Sequence, residues 1–210
     1  DNEKNTSEKI IAATKFDGSL CEERLQVNDS PGVNFNGAPE HKEITERMLQ
    51  EQNYDLLIYI MNATQLGTTD EVTHLKRVQQ LAGKIPILFV INKMDAVNAE
   101  EENVPALLQE QQVFLQENGF VHPEICPVSS KAAFLAKRFA VGNLSRSEEH
   151  ELYCSVDKFE KMNLPAYYTK AFPKVYIKDA KTEEEQLLKT SGFAYVEKLI
   201  DSYLKRKSKR

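Results

Sequence analysis

The sequence predicts an α/β fold, a doubly wound, mainly parallel sheet with helices on both faces. Two short runs, Leu56-Leu57-Ile58-Tyr59-Ile60 and Ile87-Leu88-Phe89-Val90-Ile91, are apolar at nearly every position, which is the pattern of strands buried on both sides. Segments with helical spacing separate the strand-like runs, and this alternation puts parallel strands side by side with helices as crossovers. The second run stops abruptly at Asn92-Lys93-Met94-Asp95. Open α/β sheets bind ligands at such carboxyl ends of strands.

Thr6 or Ser7 caps a short amphipathic helix to about Lys15, and Asp17-Gly18 turns the chain. A strand is expected within residues 20–28, firmest at Leu25-Gln26-Val27, ending in Asp29-Ser30-Pro31-Gly32. Residues 40–52 have helical spacing at Ile44, Met48 and Leu49, and residues 55–61 form the next buried strand. Thr68-Thr69-Asp70-Glu71 matches a capping box and opens a helix carrying Val72, Leu75, Val78 and Leu81, stopped near Gly83. Residues 105–117 read as a helix through Leu107, Leu108, Val113, Phe114 and Leu115, with Gly119 ending it. Ile125-Cys126-Pro127-Val128 is a short strand that opens onto Ser129-Ser130-Lys131, and a helix follows through 132–139. Residues 141–181, with Pro165, Pro173 and several Tyr, are the least readable stretch. From 182 to about 206 the chain is helical with a break at Gly192, and Tyr195, Val196, Leu199, Ile200 and Tyr203 share a face.

At 210 residues the chain fits one domain, or one plus a short appendage. A net charge of −5 argues against a dedicated nucleic-acid binder, the basic end Lys205-Arg206-Lys207-Ser208-Lys209-Arg210 being the exception. That end reads as a helix terminus complementing the macrodipole and continuing into a hinge, in preference to a lipid contact. Three cysteines without regular spacing suggest a reduced, cytosolic protein. The longest apolar runs are far too short to cross a bilayer. His150 and Cys154 lie four apart, but no further Cys or His completes a tetrahedral metal site. The runs Glu100-Glu101-Glu102 and Glu183-Glu184-Glu185 are solvated faces.

Three short stretches carry chemistry. The Asp95 carboxylate would accept two hydrogen bonds from the N1–H and N2–H₂ edge of guanine, whereas adenine offers no such pair and would leave the carboxylate unpaired. Asn92 would tie neighbouring loops together and reach the N7 side, and the Lys93 stem would lie along the purine face. Alone, the tetrad is also a polar strand-to-helix turn. In Asp29-x-x-Gly32, the Asp would hold a Mg²⁺-bound water and the unhindered Gly32 N–H would approach a γ-phosphate oxygen. Alone, Asp-Ser-Pro-Gly reads first as a common β-turn. Ser129-Ser130-Lys131 would offer a backbone N–H to guanine O6, or simply cap a helix.

In this order, each at a predicted strand end, the three resemble the third, fourth and fifth signature elements of translation-factor-like GTPases. The Asp-x-Pro-Gly form resembles the dynamin superfamily more closely, as do Asn62-Ala63-Thr64-Gln65 and the late Ser191-Gly192-Phe193-x-x-Val196-x-x-Leu199 helix. The resemblance is to the G domain of a bacterial dynamin-like protein and spans roughly residues 25–204. It implies GTP or GDP with Mg²⁺ held through water on Asp29, phosphate positioning by Asp29 and Gly32, and a base pocket of Asn92, Lys93, Asp95, Ser129, Ser130 and Lys131. It further implies a cytoplasmic, peripherally membrane-associated GTPase that dimerises through its G domain and engages lipid through a separate stalk. On this reading 1–24 is a remnant preceding the Asp29 strand, 25–205 the G domain core and 206–210 a basic tail or hinge.

The departures matter too. No Gly-x-x-x-x-Gly-Lys-Ser/Thr phosphate loop occurs; Gly32 and Gly37 have the right spacing, but Ala38 and Pro39 stand where Lys and Ser/Thr belong. The family's switch I threonine has no assignable counterpart. The strand preceding that loop would sit in mid-sheet, between those ending at Asp29 and Met61, so an upstream segment is expected, in preference to a strand supplied by another polypeptide. Val33 occupies the position where many small GTPases carry a water-positioning Gln. No general base is assigned, and the 210-residue chain is expected to be inactive by itself. The alternative expectation is a non-catalytic, GTPase-derived scaffold.

Overall fold

The computed structural model describes residues 26–31, 39–98, 102–168 and 179–207. Three strands, β1 (Leu57–Asn62), β2 (Ile87–Asn92) and β3 (Glu124–Pro127), form an open parallel sheet in the order β1-β2-β3. Parallel neighbours need long crossovers. These are helix α2 (Thr69–Leu81), between β1 and β2, and α3 (Val104–Glu117), between β2 and β3. The register pairs Asn62 with Asn92 and Ile91 with Pro127, so all three carboxyl ends lie along one edge.

The period of two along a strand divides the sheet into two faces. Tyr59, Met61, Phe89, Ile91 and Ile125 face one layer, into which Leu75 and Val78 of α2 and Leu115 of α3 pack. Leu88, Val90, Cys126 and Val128 face the other, covered by Val196 and Leu199 of α7 (Phe193–Lys207). Helices therefore lie on both faces, as expected for an α/β chain. Among the described residues, no helix is long and apolar enough to cross a membrane.

Two expectations about strands change. Gln26 to Pro31 is irregular, not the end of a strand; Val27 is 77% exposed, so no apolar face is buried there. Leu25 and the earlier helix lie outside the described residues. The β1 run is not core throughout either, since Ile58 is 38% and Ile60 67% exposed. α7 packs over β2 and β3, and β1, at the end of the described sheet, is buried on one face only.

The remaining helices extend the first of these layers at two places. α1 (Pro39–Glu51) packs on α2, joined by the Arg77–Glu46 ion pair at 2.9 Å. Beyond β3, α4 (Ser130–Ala140) meets α5 (Arg146–Met162) and α6 (Glu183–Thr190). The 17-residue α5 lies in the least readable stretch. It begins with a full capping box: the Ser145 hydroxyl accepts from Glu148 N, and the Glu148 carboxylate accepts from Ser145 N at 2.8 Å. That pairing, with Arg138 beside it, holds the Glu148 carboxyl below its ordinary range. Leu152, Phe159 and Met162 then fill the core between α4 and α6.

A half-buried polar pair between β1 and α2 gives the fold a pH dependence. Tyr59 Oη and His74 Nδ1 lie 3.1 Å apart. Burial holds the His74 imidazole below its ordinary range, with Glu46 opposing, and it raises both the Tyr59 phenol and the Glu71 carboxyl. An unfolded chain takes up the His74 proton near pH 6.5 while the folded chain resists it, so this group withdraws stability as pH falls through that value. Glu71 slopes the opposite way, its raised folded pKa favouring the native state at lower pH. Urea unfolding from about pH 7.5 to 5 should therefore give a shallower loss in His74→Gln than in the wild type. Parallel curves would remove His74 as the cause.

Candidate functional site

The loops that follow β2 and β3 are laced together by backbone hydrogen bonds. Val128 N donates to Ile91 O at 2.8 Å and Met94 N to Val128 O at 3.2 Å. Lys93 makes the turn possible by adopting a left-handed conformation (φ 65°, ψ 31°), after which Met94–Ala96 forms one turn of 3-10 helix. The β1 end joins them through Ala63 N, which donates to Asn92 O at 2.9 Å. Asn62 itself folds back, its Oδ1 accepting from Thr64 N at 3.2 Å and Thr64 Oγ1 at 3.0 Å.

Side chains complete the junction. Ser129 is fully buried, and its hydroxyl donates to Asp95 Oδ1 at 2.7 Å while accepting from Ala132 N at 3.1 Å as the cap of α4. Asn92 Oδ1 accepts from both Ser130 N (3.1 Å) and Ser130 Oγ (2.8 Å). Asn92 thus ties the two loops together, the role expected of it. Asp95 is half-buried, and its second carboxylate oxygen makes no hydrogen bond among the described residues. A half-buried carboxylate with one oxygen anchored by a hydroxyl and the other unengaged is an acceptor held in a fixed direction.

The O6 expectation is narrowed. Ser129 N already donates to Ser191 O at 3.0 Å, and Ser130 N to Asn92, so of the three N–H groups only that of Lys131 remains outside these contacts. Lys93 is exposed. The Lys131 ammonium turns away to Glu151 of α5 at 2.8 Å, and this partner holds it above its ordinary pKa.

The structure brings Asn92, Lys93, Asp95, Ser129, Ser130 and Lys131 to one place. It does not bring Asp29 to them by any hydrogen bond among the described residues. Asp29 is exposed on the irregular segment, whose Pro31 O accepts from Thr45 Oγ1 of α1 at 3.1 Å. Gly32 lies outside the described residues. No group of three or more His, Cys, Asp or Glu among the described residues is placed to hold a metal. Asp29 by itself is too small a donor set to fix Mg²⁺, which keeps an octahedral oxygen shell. His150 Nε2 and Cys154 Sγ are 3.9 Å apart on the exposed side of α5 without a third ligand.

Three residues that support the site are not evident from the motifs. Lys158 donates to Asp95 O (2.5 Å) and Val97 O (2.8 Å), Glu151 holds Lys131, and Ser191 O accepts from Ser129 N. The first two sit on α5. A signal for it existed: Ser145-x-x-Glu148 matches a capping box, and Leu152, Val156 and Phe159 follow at helical spacing. Comparison with protein-family models, with curated proteins and with solved structures gives no match.

Proposed function

We propose that the loops at 92–95 and 129–131 are the guanine-reading end of a GTP-binding, GTP-hydrolysing domain of the dynamin-like kind, built on a G-domain sheet. The observation that carries this reading is the 2.7 Å contact between Ser129 Oγ and Asp95 Oδ1, with the other carboxylate oxygen left to accept. A carboxylate so held meets the N1–H and N2–H₂ donors of guanine without first giving up rotamer freedom, which is the benefit of preorganisation. Adenine would bury it without partners. The exposed Lys93 stem would cover one purine face, and the Lys131 N–H in the first turn of α4 would meet O6. GTP or GDP would be the nucleotide, with Mg²⁺ bound at the phosphates and Asp29 near its water shell. No hydrolytic step is assigned to these 210 residues, which contain no Gly-x-x-x-x-Gly-Lys-Ser/Thr stretch. Dimerisation through the domain, cytoplasmic placement and coupling to membrane or assembly rearrangement belong to the same proposal.

The test is equilibrium binding of GMP and AMP to this chain by titration calorimetry or ligand-observed NMR. GMP should bind about tenfold or more tighter, the discrimination a site built around hydrogen-bonding donors gives. Equal affinities would remove the guanine assignment. The missing phosphate loop sequence also favours a second reading, a guanine-binding scaffold without catalysis. Mg²⁺-dependent GTP turnover by the natural full-length protein separates the two, and the scaffold reading requires none.

A further inference from the structure

Helix α5 contributes no residue to the base pocket, yet one of its faces grips both pocket loops. Glu151 and Lys158 are seven residues apart, two helical turns, and so project from the same side. The first holds Lys131 at the start of α4. The second reaches the backbone of the turn that carries Asp95, donating to Asp95 O at 2.5 Å and Val97 O at 2.8 Å. These carbonyls bracket Ala96. An ammonium bridging them fixes the Asp95–Ala96 and Val97–Asn98 peptide planes, and through the first of these the direction in which the Asp95 side chain leaves the chain. The Ser129 hydroxyl holds that carboxylate at its other end. A short 3-10 turn has few internal hydrogen bonds to keep its shape, here Ala96 N to Lys93 O and Val97 N to Met94 O, and this external cation adds two more contacts to hold it.

We propose that Lys158 is a positioning residue for base specificity: by clamping the Asp95 and Val97 carbonyls it keeps the Asp95 carboxylate aimed at guanine. The inference rests on the guanine reading above. Nothing in it requires Lys158 to touch the nucleotide. Core packing of α5 is supplied separately by Leu152, Phe159 and Met162, so loss of the ammonium leaves the apolar seat of the helix in place.

The experiment measures GMP and AMP affinities for the wild-type chain, Lys158→Met and Lys158→Arg, with thermal unfolding and carbonyl ¹³C shifts recorded on each. Lys158→Met keeps the aliphatic stem and removes the charge. It should weaken GMP roughly tenfold, the effect of losing one charge-assisted contact, while leaving AMP unchanged, so the preference narrows by the same factor. The Asp95 and Val97 carbonyl resonances should move and those of β2 should not. Lys158→Arg retains the charge and two or more donors and should recover most of the preference. If Lys158→Met does not fold, Lys158→Gln gives the same comparison. An undiminished preference in a variant lacking the charge overturns the clamp but leaves the guanine reading standing, and an equal weakening of both nucleotides reduces Lys158 to a structural role. A wild-type chain with no preference between GMP and AMP removes the guanine reading, and the clamp with it.

Discussion

Replacing Asp95 by Asn should cost about 2–3 kcal/mol of guanine binding, about 30- to 150-fold, with little change in stability. The substitution is isosteric. Its carboxamide oxygen still accepts from Ser129 Oγ, the contact now made at 2.7 Å by Asp95 Oδ1, so the turn is kept. What changes is the outward group, from an acceptor to an –NH₂ donor facing the donors of guanine. The same variant should bind XMP better than the wild-type chain does, because xanthine carries an acceptor carbonyl where guanine carries its amino group. Titration with GMP, XMP and AMP reads all three outcomes. Retention of GMP affinity in a folded Asp95→Asn chain would show that the carboxylate does not face the base.

Gly192→Ala is expected to destabilise the fold by about 2–5 kcal/mol, the sum of left-handed strain and overpacking. Gly192 has φ +82° between α6 and α7. A Cβ there would strike the Tyr168 hydroxyl and come within 2.5 Å of the Pro127 carbonyl oxygen. The Tyr168 hydroxyl is already committed, at 2.9 Å from Gly192 O and 3.2 Å from Pro127 O, in surroundings that push its pKa well above the ordinary phenol range. Neither neighbour can move freely, since Pro127 is the last residue of β3 and leads into the Ser129 loop. The adjacent Ser191 O holds Ser129 N, so the damage should reach the Ser129–Asp95 contact of the proposed base pocket as well. Gly142→Ala is the control: φ there is +66° with nothing within 4 Å of the added atom, and it should show strain alone, about 1–2 kcal/mol. Urea unfolding of both variants checks the pair, and equal losses would mean that the approach of Tyr168 and Pro127 is relieved without cost.

Legibility in the sequence followed the physics of each element. The β2 run and its polar stop could be read because a strand buried on both faces has no polar positions to blur it, and α2 because its caps and apolar spacing agree. α5 is the least legible helix, since its three buried residues are scattered among charged ones and only a capping box and sparse apolar spacing mark it. At 26–31 the Gln-Val-Asn-Asp-Ser-Pro sequence is compatible with a strand end and with a turn, and the exposed segment takes the irregular form.

The sequence by itself determined the chemistry at the strand ends: a carboxylate at 95, hydroxyls at 129 and 130, and an amide at 92, each placed by a local pattern of strand, turn and cap. Only the tertiary structure decided which of these meet. The parallel register sets the ends of β2 and β3 side by side, so Ser129 reaches Asp95 across 34 positions of chain. Lys158 comes to the same turn from 63 positions away. Contacts between residues so far apart are fixed by packing of helices and sheet, and no local spacing encodes them.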